Sequence, residues 1–191
     1  MDPVFTIQWP EFLLANRLQK KLLKKDGYSV LIPMSRQEKA IDLAILKKDN
    51  KNKSRVITIQ VKASRTYTPE PPKRDTTKRF LYYTWFNRFD VPHETDFFLL
   101  FGMYAPAAGQ TKRVTKKWYR DCTLLFTNKE MRGFMNNCLT VNGKTDKMFG
   151  FGFDNPAQVF QTRGDKDRKL EDYSHYLLDN RIDEIKKILN R

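Results

Sequence analysis

Ile41-Asp42-Leu43-Ala44-Ile45-Leu46, a basic linker, and then Arg55-Val56-Ile57-Thr58-Ile59-Gln60-Val61-Lys62 form the stretch on which the reading of this chain turns. Both apolar runs have strand length, the second is rich in β-branched residues, and the linker has turn composition. Strands over 40–46 and 55–61 are therefore expected to pair as a hairpin. Each run carries a polar residue where a plain core strand would not: Asp42 near the start of the first and, eighteen residues later, Gln60 near the end of the second. Strand side chains alternate, so Gln60 and Lys62 project from one face about 7 Å apart while Val61 points into the core. A glutamine inside an apolar strand needs partners for its amide.

Working outward, residues 10–26 read as a helix, with Phe12, Leu14/Ala15, Leu18 and Leu22 at three- and four-residue steps and Gly27 as its left-handed cap. A short strand over 28–33 and a polar link over 34–39 complete the approach to Asp42. Beyond Lys62 the expectation is a loop to residue 79, since Pro69, Pro71 and Pro72 forbid regular structure. An aromatic strand over 80–86 follows. The apolar run 96–104 reads as a central strand covered on both faces. A strand over 121–127 leads to a helix capped by Asn128 and ending near 137. A hairpin around Asn142-Gly143 and the glycine-aromatic run 149–153 stay unassigned, and a helix over 170–190 buries Leu178, Ile182, Ile185 and Leu189. The fold class is α/β, a central mixed sheet flanked by helices, with residues 1–191 as one domain.

Charge points to the partner. The 36 Lys and Arg against 22 Asp and Glu give a formal net charge of +14, which favours a polyanion, nucleic acid before membrane. Four basic segments supply the expected footprint: Lys20 and Lys24; Lys47, Lys48, Lys51 and Lys53; Lys73, Arg74, Lys78 and Arg79; Lys116 and Lys117. There is no run of 18 or more apolar residues and no signal-peptide pattern, so no membrane association and a cytoplasmic location are expected. Cys122 and Cys138 lack zinc-site spacing, and His93 and His175 share no metal-like spacing. Tyr82, Tyr83, Trp85 and Phe86 suit core or sheet surface better than base stacking.

Hydrolysis of a phosphodiester needs an activated water, neutralisation of charge at the phosphorus and help for the leaving oxygen. Mg2+ (or Mn2+) prefers carboxylate, amide and carbonyl oxygens, which Asp42, Gln60 and the Val61 backbone offer, and Lys62 offers a cation beside them. Glu38 is a competing acid for the role of Asp42.

The order of these features resembles the PD-(D/E)XK nuclease superfamily, with its restriction-endonuclease-like fold: a helix bearing Glu11, then Gly27-Tyr28, a strand, Ile41-Asp42-Leu43-Ala44-Ile45, a turn, and Ile59-Gln60-Val61-Lys62. The resemblance covers Glu11 to about Lys62 and, more loosely, 96–101. It implies that Asp42 is the first motif acid, Gln60 the (D/E) position, Lys62 the lysine, and Glu11 the helix glutamate that holds a metal-bound water or moves a proton. Ile41 stands in place of the nominal proline, and Gln60 replaces an acid, removing one negative charge. The implied function is a Mg2+- or Mn2+-dependent deoxyribonuclease, with homodimerisation a route to duplex cleavage. The alternative is a catalytically inactive module of the same fold that binds nucleic acid or a partner protein.

Overall fold

The computed structural model describes residues 9–33, 40–48, 53–67, 80–106 and 119–190. Its elements are α1 (Trp9–Lys21), β1 (Tyr28–Leu31), β2 (Leu43–Lys48), β3 (Ser54–Tyr67), β4 (Tyr82–Asn87), β5 (Phe97–Tyr104), β6 (Arg120–Thr127), α2 (Asn128–Asn137), β7 (Met148–Phe153), β8 (Phe160–Arg163) and α3 (Leu178–Leu189). The chain is a single α/β domain whose eight strands form one hydrogen-bonded network. Within it β1, β2 and β3 are antiparallel neighbours, β3 lies parallel to β5, and β5 is antiparallel to β6.

The 14 residues of β3 serve two sheet sections. After running beside β5 as far as Arg65, β3 pairs through Thr66 and Tyr67 with β4, which continues antiparallel to β7 and then β8. One face of the first section, with Ile57, Ile59 and Val61 of β3 and Phe97, Leu99 and Phe101 of β5, packs against Leu14 and Leu18 of α1 and Ile182 and Ile185 of α3. The other face, with Phe98, Leu100 and Phe126, packs against Tyr82 and Phe86 of β4, Phe149 and Phe151 of β7, and Phe134 of α2. The two sections meet closely at Gly102, where a Cβ would stand 2.7 Å from Thr84 Oγ1. The layers are therefore helix, sheet, sheet, with α2 alone among the three helices on the second face.

Several sequence expectations change. Helix α1 stops at Lys21, and a separate 3₁₀ turn, Lys24–Asp26, leads to Gly27, which has the expected left-handed φ of 84°. Phe12 is 57% exposed and Glu11 takes its place on the buried stripe with Leu14, Ala15, Leu18 and Leu22. The strand expected to end at Val61 runs on to Tyr67, because its polar end leaves the first section for β4. The helix over 170–190 begins at Leu178, preceded by a left-handed Leu170 and a 3₁₀ turn at Ser174–Tyr176. The glycine-aromatic run is β7. The link at 34–39, the hairpin tip at 49–52, and most of the proline loop and the basic segment before β6 lie outside the described residues. Among the described residues no helix is long and apolar enough to cross a membrane. Both cysteines are free and buried, and burial pushes the Cys122 thiol up to about 12.

Thr127, rather than Asn128, caps α2: its hydroxyl accepts from the Glu130 N–H while Glu130 accepts from the Thr127 N–H, a reciprocal capping box. Asn128 instead donates to the carbonyls of Pro92 and Thr95. Arg181 of α3 donates to both Glu130 oxygens at 2.9 Å, fastening α3 to α2. Burial alone would raise the Glu130 carboxyl, but the hydrogen bonds from Arg181 and Thr127 hold it below its ordinary value of 4.5. A depressed folded-state pKa adds stability that is fully present above the unfolded value and is lost as pH falls through the folded one. Thr127→Ala should cost about 1 kcal/mol. Glu130→Gln should lower the urea midpoint at neutral pH, with the gap to wild type narrowing as the pH is taken below about 4.

Candidate active site

The site begins where β2 leaves β3. The last residue pair of the two strands is Leu43 with Ile59. One residue earlier, the Asp42 N–H still donates to the Ile59 carbonyl at 2.9 Å, but its side chain then takes over the ladder: Asp42 Oδ2 accepts from the Val61 N–H at 2.7 Å. The carboxylate thus occupies the edge of β3 that β2 has vacated, while the opposite edge stays paired to β5 through Gln60 with Phe98, Val61 with Leu99 and Lys62 with Leu100. In a strand the N–H and C=O of one residue point to the same edge. The Val61 carbonyl therefore faces the side on which the Asp42 carboxylate sits.

The approach to Asp42 is held under strain. Ala40 has a left-handed φ of 75°, which an L side chain rarely adopts, and its carbonyl accepts from the hydroxyl of buried Thr95 at 2.8 Å. Thr95 also anchors Asn128 of α2 through its own carbonyl. The aspartate is positioned from three elements at once.

Gln60 and Lys62 share the face of β3 opposite Val61. Gln60 is buried, and its Oε1 has no hydrogen-bond partner among the described residues. A buried amide oxygen left without a donor costs on the order of 1–3 kcal/mol, a cost that a ligand engaging it would offset. Two residues on, the Lys62 ammonium lies 4.9 Å from the centroid of the Phe89 ring, which is itself stacked on Phe98. Phe89 was not singled out from the sequence, because it follows β4 in a segment without periodicity.

Glu11 is buried in the first turn of α1. Trp9, two residues before it, packs edge-on against Phe101, whose register partner on β3 is Ala63. The C-terminal end of α1 leads instead to Gly27, whose carbonyl accepts from the Lys48 N–H at the far end of β2. Glu11 therefore enters from the helix side at the Val61–Ala63 end of the sheet, the same end as Asp42. The structure ties Asp42 to the Gln60–Lys62 backbone through the Val61 N–H, whereas Glu11 lies on the helix face of β3, opposite the Gln60 and Lys62 side chains.

These donors fit a hard cation: a carboxylate, a backbone carbonyl and an amide oxygen lacking a donor are all oxygen ligands. The charge is modest, since among the described residues no three His, Cys, Asp or Glu side chains gather into a metal-binding group. Glu38 lies outside the described residues. His93 meets Arg132 at 3.1 Å and His175 packs on Tyr176.

The basic segments divide. Lys20, Lys24, Lys47 and Lys48 surround the Gly27 end of β2, about 20 Å along the strand from Asp42 at roughly 3.4 Å per residue. Lys47 is partly engaged there, its ammonium bonded to the Asp26 carbonyl and 4.6 Å from the centroid of the Tyr28 ring. Lys53 is exposed just before β3. Lys51, Lys73, Arg74, Lys78, Arg79, Lys116 and Lys117 lie outside the described residues.

Comparison with protein-family models, with curated proteins and with solved structures finds no match. The geometry stands on its own. If the Gln60 oxygen is kept for a ligand rather than for the fold, Gln60→Leu should leave the metal-free protein as stable as wild type or more stable by about 1 kcal/mol. Thermal unfolding in EDTA measures this, and a structural glutamine would instead lose stability.

Proposed function

We propose that this protein is a Mg2+- or Mn2+-dependent deoxyribonuclease of restriction-endonuclease-like fold. One observation carries the reading: at the point where β2 parts from β3, the Asp42 carboxylate is clamped to the N–H of Val61, whose neighbours in sequence are Gln60, with its donor-less amide oxygen, and Lys62. The +14 charge supplies the attraction for a polyanionic substrate.

Asp42, the Gln60 amide oxygen and the Val61 carbonyl would hold the cation, with Glu11 holding one of its waters; once bound, the cation lowers the pKa of water and offsets charge on the phosphate. The protein's own groups do the rest. Lys62, backed by the Phe89 ring, presents its ammonium to the phosphate oxygens, where negative charge grows as water attacks phosphorus. Its partly apolar surroundings strengthen that attraction relative to bulk water. Glu11 takes the proton released by the attacking water. Asp42 keeps its oxygens aligned because the Val61 N–H fixes the carboxylate.

Supercoiled plasmid provides the test. Wild type should nick or linearise it with Mg2+ or Mn2+ and not in EDTA, and Asp42→Asn and Lys62→Ala should each lower the rate by about 100-fold or more. Asp42→Asn keeps an oxygen that can accept from Val61, so the fold and metal-free DNA binding should survive. Gln60→Glu adds an anionic ligand and should preserve or raise the rate. DNA affinity should fall with salt at a log-log slope of about −0.9 per phosphate neutralised. Gln60 in place of an acid favours a second reading, a binding module without turnover. DNA binding by wild type and Gln60→Glu with no cleavage under either metal would establish that reading in place of this one.

A further inference from the structure

The aromatic residues of β4 split between two faces. Tyr82 and Phe86 are core, 1% and 5% exposed, but Trp85 between them is 40% exposed and stacks on Tyr67 of β3, itself 46% exposed. Their ring centroids are 5.2 Å apart and 25° from parallel. The row continues through Tyr83, 6.3 Å from Trp85, to Phe80 at 6.0 Å, which is itself buried, and Phe160 at 5.4 Å.

Glycines make the bed for these rings. Gly150 is the register partner of Trp85, and a Cβ built on it would collide with the indole Cδ1. A Cβ on Gly152 would collide likewise with the Phe80 ring. Trp85 and Phe80 therefore pack against bare backbone, and Trp85 is held in place before any ligand arrives. Such preorganisation spares the ordering cost of binding.

The row runs along the same strand as the candidate site but on its other face, because Tyr67 stands five positions beyond Lys62. Ser64 shares the Lys62 face of β3, two residues and about 7 Å further on, and its hydroxyl donates to the Trp85 carbonyl at 2.6 Å. Exposed Arg65 projects from the same face of β3 as Tyr67, placing a cation beside the rings. Flat π surfaces, a neighbouring guanidinium and a net positive chain match one ligand chemistry, unpaired nucleobases on a phosphate backbone. Bases locked in a duplex stack cannot offer their faces.

We infer that Trp85 and Tyr67 form a stacking platform for unpaired bases, so that the preferred ligand is DNA with a single-stranded tail or gap. The inference rests on the deoxyribonuclease reading for its choice of DNA, but its test does not use cleavage.

The test is fluorescence anisotropy in EDTA with three labelled probes: a ten-nucleotide oligothymidine, a blunt duplex, and the same duplex with a five-nucleotide tail. Wild type should bind the tailed and single-stranded probes more tightly than the blunt one. Trp85→Ala and Tyr67→Ala should each weaken those two probes by about 5- to 140-fold while changing blunt-duplex binding less than about twofold. Trp85→Phe keeps a ring on Gly150 and should recover most of the affinity, while losing the quenching of tryptophan emission that oligothymidine causes in wild type. Equal affinity for blunt and tailed probes, equal losses on both, absence of quenching in wild type, or a platform that captures no DNA at all would overturn the inference. Cleavage without this preference would leave the deoxyribonuclease reading standing, and preference without cleavage would leave the platform standing.

Discussion

One hydrogen bond organises this molecule, the 2.7 Å contact from the Val61 N–H to the Asp42 carboxylate. It lets β2 leave the sheet without exposing a raw edge on β3, because a side-chain oxygen substitutes for the backbone carbonyl that the ladder has lost. Charge-assisted bonds of this kind are about twice as strong as neutral ones. The same bond holds a negative charge against the backbone of Gln60-Val61-Lys62. The proposed site is built on that strand terminus.

The second dependence is on the length of β3. Because it continues past Lys62 to Tyr67, it carries a second sheet section whose aromatic inner face seals the side of β5 that the helices do not cover. Gly102 permits that close approach by leaving room for Thr84. The section also carries an outer aromatic row, on the face of β3 opposite Lys62. Structural coverage and an exposed aromatic surface arise from the two sides of one strand, since side chains at successive positions point to opposite faces.

Local rules carried the core of this picture. Alternation placed Gln60 and Lys62 together, and the paired apolar runs gave the β2–β3 hairpin, the buried β5 and the apolar stripe of α3. What they missed was of two kinds. Hydrophobicity assigned Phe12 to the buried stripe of α1, where Glu11 in fact lies. A helix period of 3.6 puts position 11 in line with 14, 15, 18 and 22, so the geometry was in the sequence but the polar residue disguised it. The extension of β3 and the left-handed Ala40 depend on distant partners, Thr84 and Thr95, which no local pattern names. The specific fold family and the chemistry stand as proposals built on that geometry.

The central claim, that Asp42 and its neighbours hold a divalent cation at the parting of β2 and β3, is open to direct observation by paramagnetic broadening. In the two-dimensional amide spectrum of the 15N-labelled protein, substoichiometric Mn2+ should broaden Asp42, Gln60, Val61 and Lys62 first and most strongly. The same titration of Asp42→Asn should leave those resonances sharp. Broadening that is uniform, or that centres on the acidic turn around Asp165 and Asp167 and is unchanged in the variant, would contradict the account.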